Sequence, residues 1–394
     1  MLGSVWLPQS LKNLYHGFVA LLAVLVFRYP ARTLTVIGIT GTDGKTTTAH
    51  LVYHLLKQAR IKVALLSTVG TVLGTKVTPT GLHVTTPDPW ALQRWLRQVK
   101  NHGFSHVVLE ATSHGLDQHR LWGTHIQVAL ITNITPEHLD YHHQFAKYLQ
   151  TKAKIMGSAR LVLLHRSDPL FNRLAALVPA RARLVSYSLQ AHSEFSEVLK
   201  ATFPEPYNQL NAMAASSLVA ALGITPAQII EAIPTFPGVF GRMTPVSNHR
   251  GLRLIVDFAH TPNGLQQALR ALRTSCQGHL IAVYGSAGQR DRQKRPQLGA
   301  IGADLADEVI LTAEDPRGEA VPVIIHQMLE GVKHHHGHVH AIQDRQVAIN
   351  FAIKLATAGD TVAVFGKGHE LSLNIDGRHE SPWSDYQAIK RALA

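Results

Sequence analysis

From Leu34 onward, short β-branched apolar runs alternate with stretches of helical periodicity. Leu34–Ile39, Lys62–Ser67, His106–Leu109, Val128–Thr132 and Leu161–Leu164 read as strands, with a helix over Thr46–Gln58 between the first two. That spacing predicts a mostly parallel sheet with helices on both faces. Pro and Gly then cluster at Pro234–Gly241 (PTFPGVFG), and a new alternation begins at Leu252–Asp257. It continues through Leu280–Gly285, Glu308–Thr312 and Thr361–Phe365, which predicts an open, Rossmann-like doubly wound α/β domain with ligands at its strand C-termini. The expected organisation is a short apolar N-terminal helical segment over 1–32, a central α/β domain over 33–240 and the second α/β domain over 241–394.

A chain of 394 residues with 45% hydrophobic and 16% charged residues can bury two or three cores, so extensive disorder is excluded. The single cysteine, Cys276, excludes an internal disulfide and any Cys-X-X-Cys zinc or redox site, which fits a reducing, cytoplasmic compartment. A net charge of +12 points to an anionic ligand such as a nucleotide, a nucleic acid or a membrane surface, although the basic residues are scattered. Phe18–Phe27 (FVALLAVLVF), preceded by Lys12, resembles the core of a signal peptide. Arg28, Tyr29 and Pro30 follow at once without a small-x-small site, and the run is shorter than the ~20 residues that span a bilayer. It reads as a retained helix that is either packed on the body or laid, through residues 11–29, on a membrane surface or partner. The His334-His335-His336 triplet reads as a solvated loop.

Gly41-Thr42-Asp43-Gly44-Lys45-Thr46-Thr47 follows an apolar strand and opens a helix, the setting that a phosphate-binding loop requires. There the backbone N–H groups and the helix N-terminus meet phosphates, Lys45 supplies a point charge and the Thr46 hydroxyl reaches Mg²⁺. The strict pattern fails at its first position, because Ile39 stands five residues before Gly44. Glu110 ends a strand at the same sheet edge, and Asn133–His142 follows another strand ahead of a helix carrying Lys152. Glu110 and His138 suit Mg²⁺ beside phosphate oxygens. Taken singly, Glu110 reads as a surface carboxylate, His138 as a satisfied histidine and Lys152 as a solvated helical lysine. Placement on neighbouring strand ends changes that reading for Glu110 and His138, whereas on the residues alone Lys152 stays a solvated helical lysine.

The loop, with its first Gly missing, resembles the ATP loop of the Mur ligases and their folylpolyglutamate synthetase relatives. Glu110-x-x-Ser113-His114-Gly115-Leu116-x-Gln118-His119-Arg120 and His138-Leu139-Asp140-Tyr141-His142 resemble the MurE-type ligases, which add the third residue to UDP-N-acetylmuramoyl-dipeptide. The matching segments run from Leu34 to Asp385. The resemblance implies an ATP-dependent amide ligase that works through an acyl phosphate in peptidoglycan precursor synthesis. It also implies two magnesium ions held by Thr46, Glu110, His138 and a carbamate on Lys152. Carbamate formation needs a neutral amine, so the lysine pKa must fall well below its reference of about 10.4. Lys154 is turned about 200° away along the helix.

The remaining matches imply roles by position. ATP is held by Gly41 to Thr47, by Asn208 and Asn211 in Tyr207-Asn208-Gln209-Leu210-Asn211-Ala212, and by Arg242, Asp257 and His260, with Phe258 where the family has Tyr. Thr85, Thr86, Ser113 and Arg120 hold the muramoyl-peptide acceptor. Arg290, Asp315, Arg317, Gly366 and Glu370 take the incoming amino acid, with Glu370 placed to meet an ammonium. Without the resemblance, Thr85-Thr86-Pro87-Asp88 and Asn208 read as helix N-caps. Arg290 and Arg317 favour meso-diaminopimelate, whereas Asp315, replacing the family's Asn in Glu314-Asp315-Pro316-Arg317, favours a cationic end such as lysine. The segment before Leu34 departs from the family, which carries a whole UDP-binding domain there. A UDP end gripped more loosely, a lipid-linked acceptor or a different carboxylate acceptor follows as an expectation. The expected state is a monomer that binds no nucleic acid. Two alternatives stay open: a MurT-like amidotransferase subunit, and a basic phosphate-loop protein that binds nucleic acid or membrane.

Overall fold

The computed structural model describes residues 9–78, 85–191, 193–333 and 337–394, so the His334-His335-His336 triplet lies outside the described residues. The chain forms two compact units. Met1–Pro136 and Gln144–Pro237 make the first, and Glu137–His143 with Gly238–Ala394 makes the second.

The strands of the first unit are β1 (Thr35–Thr40), β2 (Val63–Leu66), β3 (Thr71–Leu73), β4 (Lys76–Thr78), β5 (His106–Glu110), β6 (Ile126–Ile131), β7 (Leu161–His165) and β8 (Arg183–Tyr187). Their order is β4-β3-β2-β5-β1-β6-β7-β8. β2, β5, β1, β6, β7 and β8 run parallel, and β3 and β4 are added antiparallel at one edge. The inner parallel strands β1, β2, β5, β6 and β7 are mainly apolar because both faces are covered, whereas the edge strand β8 is largely exposed. Along β1, Val36 packs with Ala64, Val107 and Ala129 on one face, while Ile37 and Ile39 join Leu65, Val108 and Leu130 on the other. Helices Lys45–Gln58 and Pro206–Ala221 cover the second face, and helix Pro89–Asn101 covers the first through Leu92, Leu96 and Val99.

Two expected N-caps are corrected. The helix beginning at Pro89 is capped by Asp88, whose side chain accepts from the N–H groups of Trp90 and Ala91 at 2.9 and 3.0 Å, so the first-turn proline is Pro89. Thr86 cannot cap it, because its hydroxyl already bonds Thr112. Asn208 lies inside the first turn of a helix that starts at Pro206, where proline's missing N–H costs nothing.

In the second unit, β9 (Thr244–Val246), β10 (Arg253–Asp257), β11 (Leu280–Tyr284), β12 (Glu308–Leu311), β13 (His338–Ala341) and β14 (Thr361–Phe365) order as β13-β12-β11-β14-β10-β9. Within this sheet the pair β9–β10 is antiparallel and the other neighbours are parallel, and Ser372–Asn374 with Glu380–Pro382 makes a separate antiparallel pair. Leu254 and Val256 face one core and Ile255 the other, the same two-sided burial as in β1.

Two buried arginines fasten the loops of this unit. Arg345 makes a fork on Asp385 at 2.8 and 2.7 Å and also donates to the carbonyls of Ala313 and Phe365, just beyond β12 and at the end of β14. Arg295, fully buried, makes a second fork on Glu319 at 2.8 and 2.9 Å. That hydrogen-bonded guanidinium is the chief reason the Glu319 carboxyl falls from the usual 4.5 to about 2. A carboxylate with a depressed folded-state pKa stabilises fully above pH 4.5, and this contribution is lost as pH falls towards about 2. Removing one partner of such a pair leaves the other buried and uncompensated. Glu319→Gln is therefore expected to destabilise the protein by about 3 kcal/mol at pH 7 in denaturant titrations, with a difference that shrinks below pH 4.5. A variant as stable as the parent at pH 7 contradicts this.

Candidate active site

The loop after β1 is shaped by two glycines and held by side chains from other strands. Gly41 has φ 154° and Gly44 φ 80°, and a Cβ at either would collide, with the Thr132 hydroxyl and the Asn211 amide respectively. The residues beyond β6 pin the loop from one side. Asn133 accepts from the Asp43 N–H at 3.0 Å, and Thr132 Oγ1 and Asn133 Nδ2 donate to the Asp43 carbonyl at 2.7 and 3.1 Å. The Thr42 hydroxyl donates to the Thr135 carbonyl, accepts from the Thr135 N–H and lies 3.1 Å from the Tyr148 hydroxyl.

Two lysines hold consecutive carbonyls of this loop. Lys152 Nζ, almost fully buried and 4.8 Å over the Tyr148 ring, donates to Gly41 O at 2.6 Å. Lys45 Nζ donates to Thr42 O at 2.7 Å. Lys154, by contrast, is half exposed and pairs with Asp117 at 3.2 Å.

The sheet register explains why Glu110 meets the helix opening. Ile39 of β1 is paired with Glu110 of β5, so the carboxylate emerges beside the loop. It accepts from Thr46 Oγ1 at 3.0 and 3.1 Å and from the Thr68 N–H at 2.9 Å. Thr47 is buried in the same first helical turn. The Thr68 hydroxyl lies 3.0 Å from that of Thr85, which extends the hydrogen-bonded row to the Thr85-Thr86 segment. Thr86 then bonds Thr112, and Arg120 donates to Thr86 O at 2.8 Å while its other nitrogens hold Gln118. Ser113, 2% exposed, presents a hydroxyl with no hydrogen-bond partner among the described residues. Asn208 and Asn211 stand one turn apart beneath Gly44, joined at 3.4 Å. Thr68, Thr112, Thr132 and Tyr148 were not singled out from the sequence. They are ordinary polar residues whose partners come from distant strands.

In the second unit, His138 has φ 56° and caps the short helix Leu139–His142, within the segment Glu137–His143. Asp257 ends β10 and accepts from the N–H groups of Met243 and Ala259 at 2.7 and 2.8 Å. The Phe258 ring packs between Arg242 (4.4 Å) and the imidazoles of His260 (4.7 Å) and His369 (5.1 Å), so phenylalanine keeps the stacking role without a hydroxyl. Gly366 leaves room for Glu314, whose carboxyl is pushed up by burial.

Charge is nearly balanced around Asp315. Lys367, fully buried, pairs with Asp315 at 2.7 Å and with Glu370 at 2.5 Å, and Arg317 approaches Asp315 at 3.4 Å. The added carboxylate of Asp315 is thus met by a cation of the chain. Glu370 likewise meets an ammonium of the chain itself. Burial, then Arg317, lower the Arg290 pKa, opposed by Asp140 and Asp315. A buried nitrogen of Arg317, NH1, has no hydrogen-bond partner among the described residues.

A glycine loop between a parallel strand and a helix, faced by a carboxylate and two lysines and accompanied by a second doubly wound unit, defines a phosphate-loop α/β enzyme that handles nucleotides. Comparison with known proteins agrees. Residues 39–219 match the Mur ligase middle domain, and residues 241–368 match the Mur ligase glutamate ligase domain. The chain is 36% identical over 401 residues to the UDP-N-acetylmuramoyl-L-alanyl-D-glutamate--2,6-diaminopimelate ligase of Thermosynechococcus vestitus, covering 94% of this chain and 79% of the relative. A solved structure described as a ligase of the same name superposes with a TM-score of 0.61 at 28% identity, over 100% of this chain and 85% of that one. The folylpolyglutamate synthase/dihydrofolate synthase of Yersinia pestis, complexed with AMPPNP and Mn ion, shares the fold with a TM-score of 0.68 at 18% identity, over 94% and 97% of the two chains. The chain belongs to the Mur ligase family, and it is an ATP-dependent amide ligase of that family.

Gly44→Ala tests the loop geometry. Both the left-handed backbone and the collision with Asn211 oppose the new methyl. Affinity for a fluorescent ATP analogue is expected to fall at least about tenfold, ~1.4 kcal/mol, accompanied by a lower melting temperature from the strained loop. Unchanged affinity contradicts the assignment.

Proposed function

We propose that the chain adds a diamino acid, meso-diaminopimelate, to the free carboxylate of a UDP-N-acetylmuramoyl-peptide. The observation that carries this reading is the pairing of Lys45 and Lys152 on consecutive loop carbonyls with Glu110 on Thr46. The first step faces like charges, because a carboxylate about 4 Å from a γ-phosphate oxygen is repelled by roughly 4 kcal/mol at an effective dielectric of 20. Lys45 and the N–H groups of the helix opening offset that repulsion, while Thr85, Thr86, Ser113 and Arg120 fix the acceptor. The carboxylate oxygen attacks the γ-phosphorus and ADP leaves. The amine, shedding its proton, then attacks the acyl carbon and phosphate departs with the broken C–O bond. Asn208, Asn211, Arg242, Asp257 and His260 are proposed to hold the nucleotide. Positioning of this kind contributes roughly 7–11 kcal/mol.

The residues fit magnesium. Thr46 and Glu110 present hard oxygen donors beside the loop, where magnesium is proposed to bind together with a carbamate on Lys152; His138 is proposed as a ligand on the family resemblance alone. Bound there, magnesium supplies positive charge to the phosphate oxygens.

For the amino acid, Lys367 is shared between Asp315 and Glu370 and Arg317 also approaches Asp315, so that Arg290 and the Nη1 of Arg317, which has no hydrogen-bond partner among the described residues, are proposed to take a carboxylate. Gly366 and Glu370 complete the proposed pocket, which favours a dicarboxylic diamino acid over lysine. With UDP-N-acetylmuramoyl-dipeptide and ATP, phosphate release is expected to rise at least about tenfold more with meso-diaminopimelate than with lysine. A rise only with ammonia and a partner protein overturns the reading in favour of an amidotransferase. Lys152→Ala is expected to abolish turnover, with partial rescue by a small carboxylate, and full activity in that variant contradicts the carbamate.

A further inference from the structure

The N-terminal helix Gln9–Val26 buries one side and exposes the other. Ala20, Ala23 and Val24 pack on the first unit, with Val24 against Gly123, where an added methyl would collide with it. On the opposite side Leu14, Phe18, Leu22 and Leu25 recur at helical spacing and are 72, 59, 38 and 49% exposed. Trp122, also exposed, extends this patch. Beside the helix runs a groove of about 1480 Å³, lined by Phe18, Leu21, Leu121, Trp122, Ile126 and Ile155 among others.

Charge selects the occupant. None of the described residues lining the groove is Asp or Glu, and its lysine, Lys154, is paired with Asp117, so the groove wall itself carries no unmatched negative charge. No carboxylate precedes Asp43 in the sequence, and Lys12, Arg28 and Arg32 are exposed around the helix ends. The nearest acid, Asp117, is engaged by Asn13 and Lys154 at 3.1 and 3.2 Å. A contiguous apolar surface of this kind marks an interaction site. A two-fold contact with a second copy would set this cationic rim against itself. No helix among the described residues is long and apolar enough to cross a membrane. A helix about 27 Å long with an apolar stripe and cationic flanks suits the plane of an anionic bilayer.

We propose that this helix and its groove dock the protein on an anionic lipid surface. Leu14, Phe18 and Leu25 enter the headgroup boundary, Lys12 and Arg28 meet lipid phosphates, and the groove receives an acyl chain. Docking needs neither nucleotide nor acceptor, so its failure leaves the ligase reading untouched.

Flotation of the full chain with vesicles tests it. Partitioning is expected to be at least about tenfold stronger on phosphatidylglycerol-containing vesicles than on pure phosphatidylcholine, and to weaken as salt rises from about 50 to about 500 mM. The triple variant Leu14→Ser, Phe18→Glu, Leu25→Ser, changed only at exposed positions, is expected to lose at least about tenfold of that binding while keeping melting temperature and ATP turnover in solution. Lys12→Glu with Arg28→Glu provides the charge arm if the triple variant misfolds, and is expected to abolish the preference for anionic vesicles. Equal binding to both vesicle types, retained binding in these variants, or a dimer that the triple variant dissociates and that ignores vesicles overturns the proposal.

Discussion

The first unit depends on a backbone problem solved by side chains. A loop whose N–H groups are to face an anion must dispose of its own carbonyls, and a buried carbonyl without a donor is costly. Here Gly41 O and Thr42 O are taken by Lys152 and Lys45, and Asp43 O by Thr132 and Asn133. The glycines make this arrangement possible, since a Cβ at Gly41 or Gly44 would displace the partners that hold the loop. Parallel pairing of β1 with β5 and β6 brings those partners in from distant parts of the sequence.

The second unit solves an electrostatic problem instead. It gathers Arg290, Arg317, Lys367, Asp315, Glu370 and Glu314 at its strand ends, where unmatched charge would be expensive. Lys367 links Asp315 to Glu370, and Arg345 ties Asp385 to the loop carbonyls beneath them. The loops around the proposed amino-acid pocket are therefore braced by ion pairs, and one Arg317 nitrogen has no hydrogen-bond partner among the described residues.

Much of the fold was legible because buried parallel strands are written as short apolar runs. The phosphate loop was legible because only glycines tolerate its backbone. Other features were hidden for physical reasons. β3 and β4 are short, partly exposed and bear no apolar run. Asp88 outcompeted Thr86 as a helix cap only because Thr112, across the fold, engages the Thr86 hydroxyl. The significance of Asp315 also depended on a partner 52 positions away, which reduced its charge to an internal matter. Residues such as Thr132, Tyr148 and Arg345 act through tertiary contacts that leave no local pattern.

The central claim is that the loop held by Lys45 and Lys152 transfers the γ-phosphoryl group of ATP to a carboxylate. The most direct measurement is isotopic: UDP-N-acetylmuramoyl-L-alanyl-D-glutamate labelled with ¹⁸O in both carboxylates of its glutamyl residue is turned over with ATP and meso-diaminopimelate, and the released phosphate is analysed by mass. An acyl phosphate requires an oxygen of the carboxylate to leave on that phosphate, so each amide bond formed is accompanied by transfer of one carboxylate oxygen. Unlabelled phosphate formed alongside the amide product contradicts the account.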